Sequence, residues 1–258
     1  MVVTKENYFT PENDKEYMSV SLFKSFKKCE AKTMAKLNSE WEDDNKDALL
    51  LGSYVHAWSE GTLEEFKENH PEMYSSKGKT KGQLKSAFLI ADRMIDTLKD
   101  DELVKQAREG KKEVIQTAEL FGVPWKAMFD IYNPDKKVIV DLKTTRNIHS
   151  KFGNNENFIT HYDYLLQMAI YCEIDRINRK ANNYFQPHII AVSKEDIPDK
   201  AVILLGTEFI EDKLLETEIL MDRVKAVWQG REQPTRCEEC DYCRATKKLE
   251  KTIFYMDL

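Results

Sequence analysis

The segment from Lys126 to Thr145, KAMFDIYNPDKKVIVDLKTT, constrains this chain more than any other. Asn133-Pro134-Asp135-Lys136 is turn chemistry, with proline pre-setting φ at the second turn position. Ala127 to Tyr132 and Val138 to Leu142 flank it and read as strands. Folding at that turn sets Asp130 opposite Ile139, one diagonal step from Asp141. Strand side chains alternate faces, so Asp130, Asp141 and Lys143 share one face while Val138, Val140 and Leu142 take the other. Diagonal neighbours sit roughly 7–8 Å apart, near enough for two carboxylates to share a cation. Two acids and a lysine so placed can hold a divalent metal and touch a phosphate. A solvated hairpin face is the plain alternative for such charges. Met128 and Ile139 lie on the same face and argue against a fully wet side.

The rest of the chain surrounds this hairpin with recognisable elements. Residues 1–18 read as irregular. Ser21 is the expected N-cap of a helix with Leu22, Phe23 and Phe26 at helical spacing, ending near Cys29. After the acidic stretch Glu40 to Asp47, a helix from Asp47 to Glu60 places Gly52 and His56 on one face. A small residue there permits close backbone approach, so that His56 can reach inward as a metal ligand or phosphate contact; a packed or surface histidine is the plainer reading. Thr62 to Arg108 reads as helices interrupted by SSKGKTKGQLK. Its Lys77, Lys79, Lys81 and Lys85 are either a solvated loop or a set of phosphate contacts. Glu113–Leu120, Val123–Tyr132 and Val138–Thr145 then form an antiparallel meander. A helix from Thr160 to Lys180 sets Gln167 and Tyr171 four apart on one face. Strands Tyr184–Val192 and Ala201–Phe209 and a helix Ile210–Trp228 follow. The expected architecture is α/β, a mixed central sheet with an antiparallel meander flanked by helices. It is read as one domain over 1–258, with a helical part at 19–60, the sheet core at 110–210 and a cysteine-rich tail at 230–258.

That tail carries Cys237-Glu-Glu-Cys240-Asp-Tyr-Cys243, a C-x2-C-x2-C run with ligand spacing. Three thiolates need a fourth partner. Five cysteines in a long chain without a signal pattern do not suggest a disulfide framework.

An upstream Asp followed by D-x-K resembles the core of the PD-(D/E)XK nuclease superfamily. The G-x-x-x-H helix (Gly52, His56) and the Q-x-x-x-Y helix (Gln167, Tyr171) are similar to its RecB-like branch. The motifs stand in family order from Ser19 to Cys243. Within the branch, the layout is most similar to phage and prophage exonucleases of the RecE (exonuclease VIII) type. Three residues before Asp130 the family often has glycine, where this chain has Ala127. The resemblance implies a restriction-endonuclease-like core and a metal-dependent DNA exonuclease acting on linear duplex ends in recombination or repair. Asp130, Asp141, the Leu142 carbonyl and His56 would hold Mg2+ or Mn2+, Lys143 would act at the phosphate, and Gln167 and Tyr171 would position DNA and support the lysine. It implies a single-strand annealing protein and a homo-oligomer as partners. It also implies that Cys29 joins Cys237, Cys240 and Cys243 around a [4Fe–4S] cluster stapling the termini, with zinc the alternative. The interval between the last two cysteines is shorter than is common in such clusters. A non-catalytic DNA-binding or scaffold subunit with a degenerate nuclease fold is the competing function.

Composition limits the other classes. Hydrophobic content of 41% with 33% charged residues fits a globular protein. No apolar run approaches the roughly 20 residues needed to span a bilayer, and MVVTKENYFTPEND lacks a signal pattern, so a cytoplasmic location in a bacterium or phage-infected host is expected. A net charge of -6 argues against bulk electrostatic attraction to nucleic acid and for contacts confined to a site.

Overall fold

A computed structural model of the chain describes residues 2–43, 46–249, 252, 254 and 256. In chain order the helices before the sheet are α1 (Pro11–Glu16), α2 (Val20–Lys28), α3 (Glu30–Leu37), α4 (Lys46–Glu60), α5 (Leu63–Asn69), α6 (Ser86–Lys99) and α7 (Glu102–Ala107). Strands β1 (Lys111–Leu120), β2 (Val123–Asn133) and β3 (Val138–Thr145) follow, then α8 (Phe158–His161) and α9 (Tyr164–Arg179). The chain continues through β4 (Gln186–Ser193), β5 (Lys200–Leu204), α10 (Ile210–Trp228) and α11 (Asp241–Ala245). Two compact units result. One comprises the chain up to Asp43 and from Thr217 onward; the other runs from residue 44 to Glu216.

The second unit holds a five-stranded mixed sheet in the order β1-β2-β3-β4-β5. Neighbours are antiparallel except β3 and β4, which are parallel. A parallel pair needs a long crossover, and α8 with α9 supplies it. α9 packs on one face, where the Tyr132 hydroxyl donates to Asp175 at 2.7 Å and the rings of Phe129 and Tyr171 lie 5.1 Å apart. On the other face, Tyr54 and Val55 of α4, Met94 and Leu98 of α6 and Val104 of α7 form one buried cluster with Ile131, Val140 and Leu142. The sheet is thus covered on both sides, as expected for strands as apolar as β3 and β4. Gly110, just before β1, is held at φ +135°; a Cβ there would stand 2.6 Å from the Tyr132 carbonyl oxygen, so glycine lets β1 close onto β2.

The first unit joins the two ends of the chain. Glu30 accepts from Arg223 Nη2 at 2.6 Å and from the Thr235 amide at 2.7 Å, Ala31 N donates to the Thr235 carbonyl, and Trp228 Nε1 donates to the Asp14 carbonyl.

Several local expectations are corrected. The first 18 residues include α1, capped by Thr10 with Pro11 in its first turn. Ser19, not Ser21, caps α2, since its hydroxyl accepts from the Leu22 amide. The helix expected from Thr160 to Lys180 is two helices, because Asp163 adopts φ 54° between α8 and α9. β5 stops at Leu204, and the remaining residues turn through Gly206 (φ +74°) toward α10.

Candidate active site

The β2–β3 hairpin sets the site, with a register different from the one expected. Asn133 pairs with Val138 and Tyr132 with Ile139, so the loop comprises Pro134 to Lys137. The Asn133 side chain accepts from the Lys136 amide at 3.0 Å and Lys137 takes φ 56°, which lengthens the turn by two residues. A shift of two preserves the faces. Continued one pair further, this register would set Asp130 directly against Asp141, but the ladder stops at Ile131–Val140. There the strands part, and the Leu142 amide donates to Asp130 Oδ2 at 2.7 Å instead. The regular alternation of β2 also breaks here. Phe129 and Tyr132 both meet α9, while Ile131 belongs to the cluster under α4. Opposite Asp130, Glu113 of β1 sits at φ 52°.

The polar groups gather at this opening. His56 Nδ1 lies 3.4 Å from Asp130 Oδ2. One donor atom each from His56, Glu113 and Asp130 lies within 4.8 Å of the others. Asp141 is 2% exposed; its Oδ1 accepts from Gln167 Nε2 at 2.6 Å and its Oδ2 stands 2.7 Å from Lys143 Nζ. That Oδ2 has no hydrogen bond of good geometry, only the charge contact. Burial raises the Asp130 pKa to about 6 against the charge of His56, and the nearby Asp141 carboxylate adds to the rise. For Lys143 burial works the other way, but Asp141 and Asp130 outweigh it and hold the ammonium above its ordinary value. Crowded carboxylates, one with a buried oxygen met by a lysine charge but by no well-aligned hydrogen bond, form a hard-donor set of the kind Mg2+ or Mn2+ takes.

Each expected site residue has a definite place. Asp130, Asp141, Lys143, His56 and Gln167 come together. Leu142 enters through its amide, bonded to Asp130. Tyr171, one turn beyond Gln167, is buried against Phe129. A Cβ on Gly52 would meet only Thr144 Oγ1, at 4.0 Å, so the backbone approach there is looser than the G-x-x-x-H spacing suggests. Lys77, Lys79 and Lys81 are exposed on a loop closed by the Tyr74–Leu84 bridge, and Lys85, also exposed, stands just past that bridge at the start of α6. Glu113 was not foreseen, because in a Lys-Lys-Glu strand start an acid reads as solvated; its turn toward Asp130 depends on a local φ.

The first unit carries a second donor group. Sγ atoms of Cys29, Cys237, Cys240 and Cys243 all lie within 4.8 Å of one another, with Cys29–Cys243 at 3.6 Å and Cys237–Cys243 at 3.9 Å. Amides of Lys32, Cys240 and Cys243 donate to Cys29, Cys237 and Cys240 in turn. Burial pushes Cys29 up and Cys240 to about 12, whereas the amides of Glu239 and Cys240 bring Cys237 down to about 6. An all-thiol set of four can bind a metal.

A mixed sheet that opens around Asp130, Asp141 and Lys143, with helices placing His56 and Gln167 at the opening, defines a PD-(D/E)XK-type nuclease fold. Residues 19–246 match the PDDEXK-like domain of unknown function (DUF3799), and the chain belongs to that family. It is similar to the crystal structure of a "Putative exonuclease" from Eubacterium rectale, at 38% identity and a TM-score of 0.92, over 100% of this chain and 98% of that one. The structure of SSO0001, at 14% identity and a TM-score of 0.35 over 86% and 91% of the two chains, is too distant to carry an argument. No curated protein matches the chain. Family and neighbour together support a nuclease.

Proposed function

We propose that the protein is a metal-dependent DNA exonuclease that hydrolyses phosphodiester bonds at linear duplex ends, in the setting of phage-type recombination or repair. The observation that carries this is the Asp141–Lys143 pair at the opening beside Asp130, Glu113 and His56. Asp130 and Asp141, with Glu113 and His56, would hold Mg2+ or Mn2+, which supplies Lewis acidity toward the phosphate and acidifies water. Gln167 fixes the rotamer of Asp141 through its 2.6 Å hydrogen bond. Lys143, kept charged by both acids, offers its ammonium to a phosphate oxygen as negative charge develops. Tyr171 supports the strand from behind, and the exposed lysines 77, 79, 81 and 85 suit contacts with the DNA backbone. A single-strand annealing protein and further copies of the chain are the proposed partners.

Incubation with linear, circular and single-stranded DNA in Mg2+ tests the reading. Linear duplex should be degraded and closed circles spared; binding without cleavage of any substrate would favour a scaffold instead.

For the four thiols, the C-x2-C-x2-C run with one remote cysteine supports a [4Fe–4S] cluster. Zinc has its own support. Zn–S bonds of about 2.3 Å in a tetrahedron place sulfurs about 3.8 Å apart, close to the 3.6 and 3.9 Å separations seen. Protein purified without oxygen decides between them: absorbance at about 400 nm marks the cluster, and a colourless sample with one zinc per chain marks the ion.

A further inference from the structure

Beside the acids lies a run of aromatic rings that the hydrolytic reading leaves unused. Lys143 Nζ sits 5.0 Å from the centroid of the Tyr164 ring. Tyr164 meets Tyr162 at 5.8 Å, and Tyr162 stands edge-on to His161 at 4.8 Å and to Phe152 at 5.5 Å. His161 and Phe152 lie parallel, 3.8 Å apart at an interplanar angle of 7°. The run has a firm base, because Phe152 and Tyr164 pack on the buried cluster of Phe158, Ile159, Ile189 and Ala191. Its outer members are not buried: Tyr162 is 43% exposed, and His161 is exposed with Glu156 3.9 Å from its Nδ1. The Asp163 backbone, at φ 54°, separates α8 from α9 and places Tyr162 at the joint.

Large rings left in water beside a site are most useful as a surface for other rings. Nucleobases stack on aromatic side chains with little regard to sequence, since every base has a π-face. In a duplex those faces are already stacked, so only an unpaired nucleotide can use such a surface. We propose that Phe152, His161 and Tyr162 form a base-stacking ledge that receives unpaired nucleobases at a DNA end, adjacent to the phosphate held at Lys143. This rests on the nuclease reading and narrows its substrate to an end whose terminal nucleotides are frayed or single-stranded. A chain with a net charge of -6 gains from holding DNA by its bases as well as by its phosphates.

The test uses the full chain carrying Asp141→Asn, so that DNA is bound without being cut, and a duplex with a short single-stranded tail. 2-Aminopurine in the tail should be quenched on binding. Adding Tyr162→Ala should remove the quenching and weaken binding on the order of tenfold, and Tyr162→Phe should retain both. With abasic nucleotides in the tail, the tyrosine and alanine forms should bind equally. Unchanged quenching and affinity in Tyr162→Ala, or the same loss on the abasic tail, would overturn the ledge. In that event continued cleavage of DNA by the unmodified protein leaves the nuclease reading standing; absence of both binding and cleavage would remove the two together.

Discussion

In the sheet-bearing unit the acids already have protein partners. Gln167 and Lys143 hold the two oxygens of Asp141, and the Leu142 amide holds Asp130. In the other unit four thiols from the two ends of the chain converge with only weak S–H contacts and backbone amides between them. The first arrangement is already built from protein partners, so an ion bound there would serve chemistry. The second is a junction between segments 208 or more positions apart in sequence, so an ion bound there would serve stability. Metal removal should therefore have opposite consequences in the two places.

The largest expected effect is on catalysis. Asp141→Asn keeps the shape and the Gln167 contact but removes the charge, and should lower cleavage on the order of 10³-fold while thermal unfolding is nearly unchanged. A matching loss of folded protein would erase the contrast between the two regions. Next is Cys243→Ser, which deletes a fully buried thiol from the junction. It should destabilise its own unit by several kcal/mol, of the order of about 2–5 for a lost cross-link, with residual cleavage tracking the folded fraction. Chelation sharpens the same contrast: EDTA should stop cleavage and leave the sheet intact by circular dichroism, whereas stripping the thiols should lower the melting temperature. Gln167→Ala is expected to reduce activity about 10–100-fold, the scale for a residue that orients a metal ligand, with the metal requirement rising in parallel.

The smallest effect is electrostatic. Lys32, with Lys36 and Trp41, lowers the Asp43 pKa from 3.8 to about 2. A carboxylate whose pKa falls on folding contributes stability above its unfolded value, so this contribution is present above pH 3.8 and is lost as pH drops toward 2. The pair is partly exposed and screened, so the change is modest. Acid titration of Asp43→Asn should lack that component while the wild-type curve shows it.

Much of the sheet was legible because its signals are local. Period-two alternation and the Phe121-Gly122 and Asn133-Pro134 turns place β1, β2 and β3 within about two residues of their bounds. α10 matches its apolar run from Ile210 to Trp228. The hairpin register was not legible, since it depends on Asn133 bonding the Lys136 amide and on Lys137 accepting a positive φ. α1 is short, and Thr10-Pro11-Glu12 is a capping signal that could have been read. At the site, the residue types and their order were visible in the chain. Glu113 and the break of alternation at Asp130 were not, because both arise where three strands meet.

The central claim is that Asp130 and Asp141 share one hard cation at the place where β2 and β3 part. A crystal soaked in Mn2+ and measured for anomalous scattering tests it directly. The expected result is a peak within about 2.0–2.6 Å of oxygens from both aspartates, with Lys143 beside it. An ion bound elsewhere, or none at concentrations that support cleavage of DNA, would contradict the account.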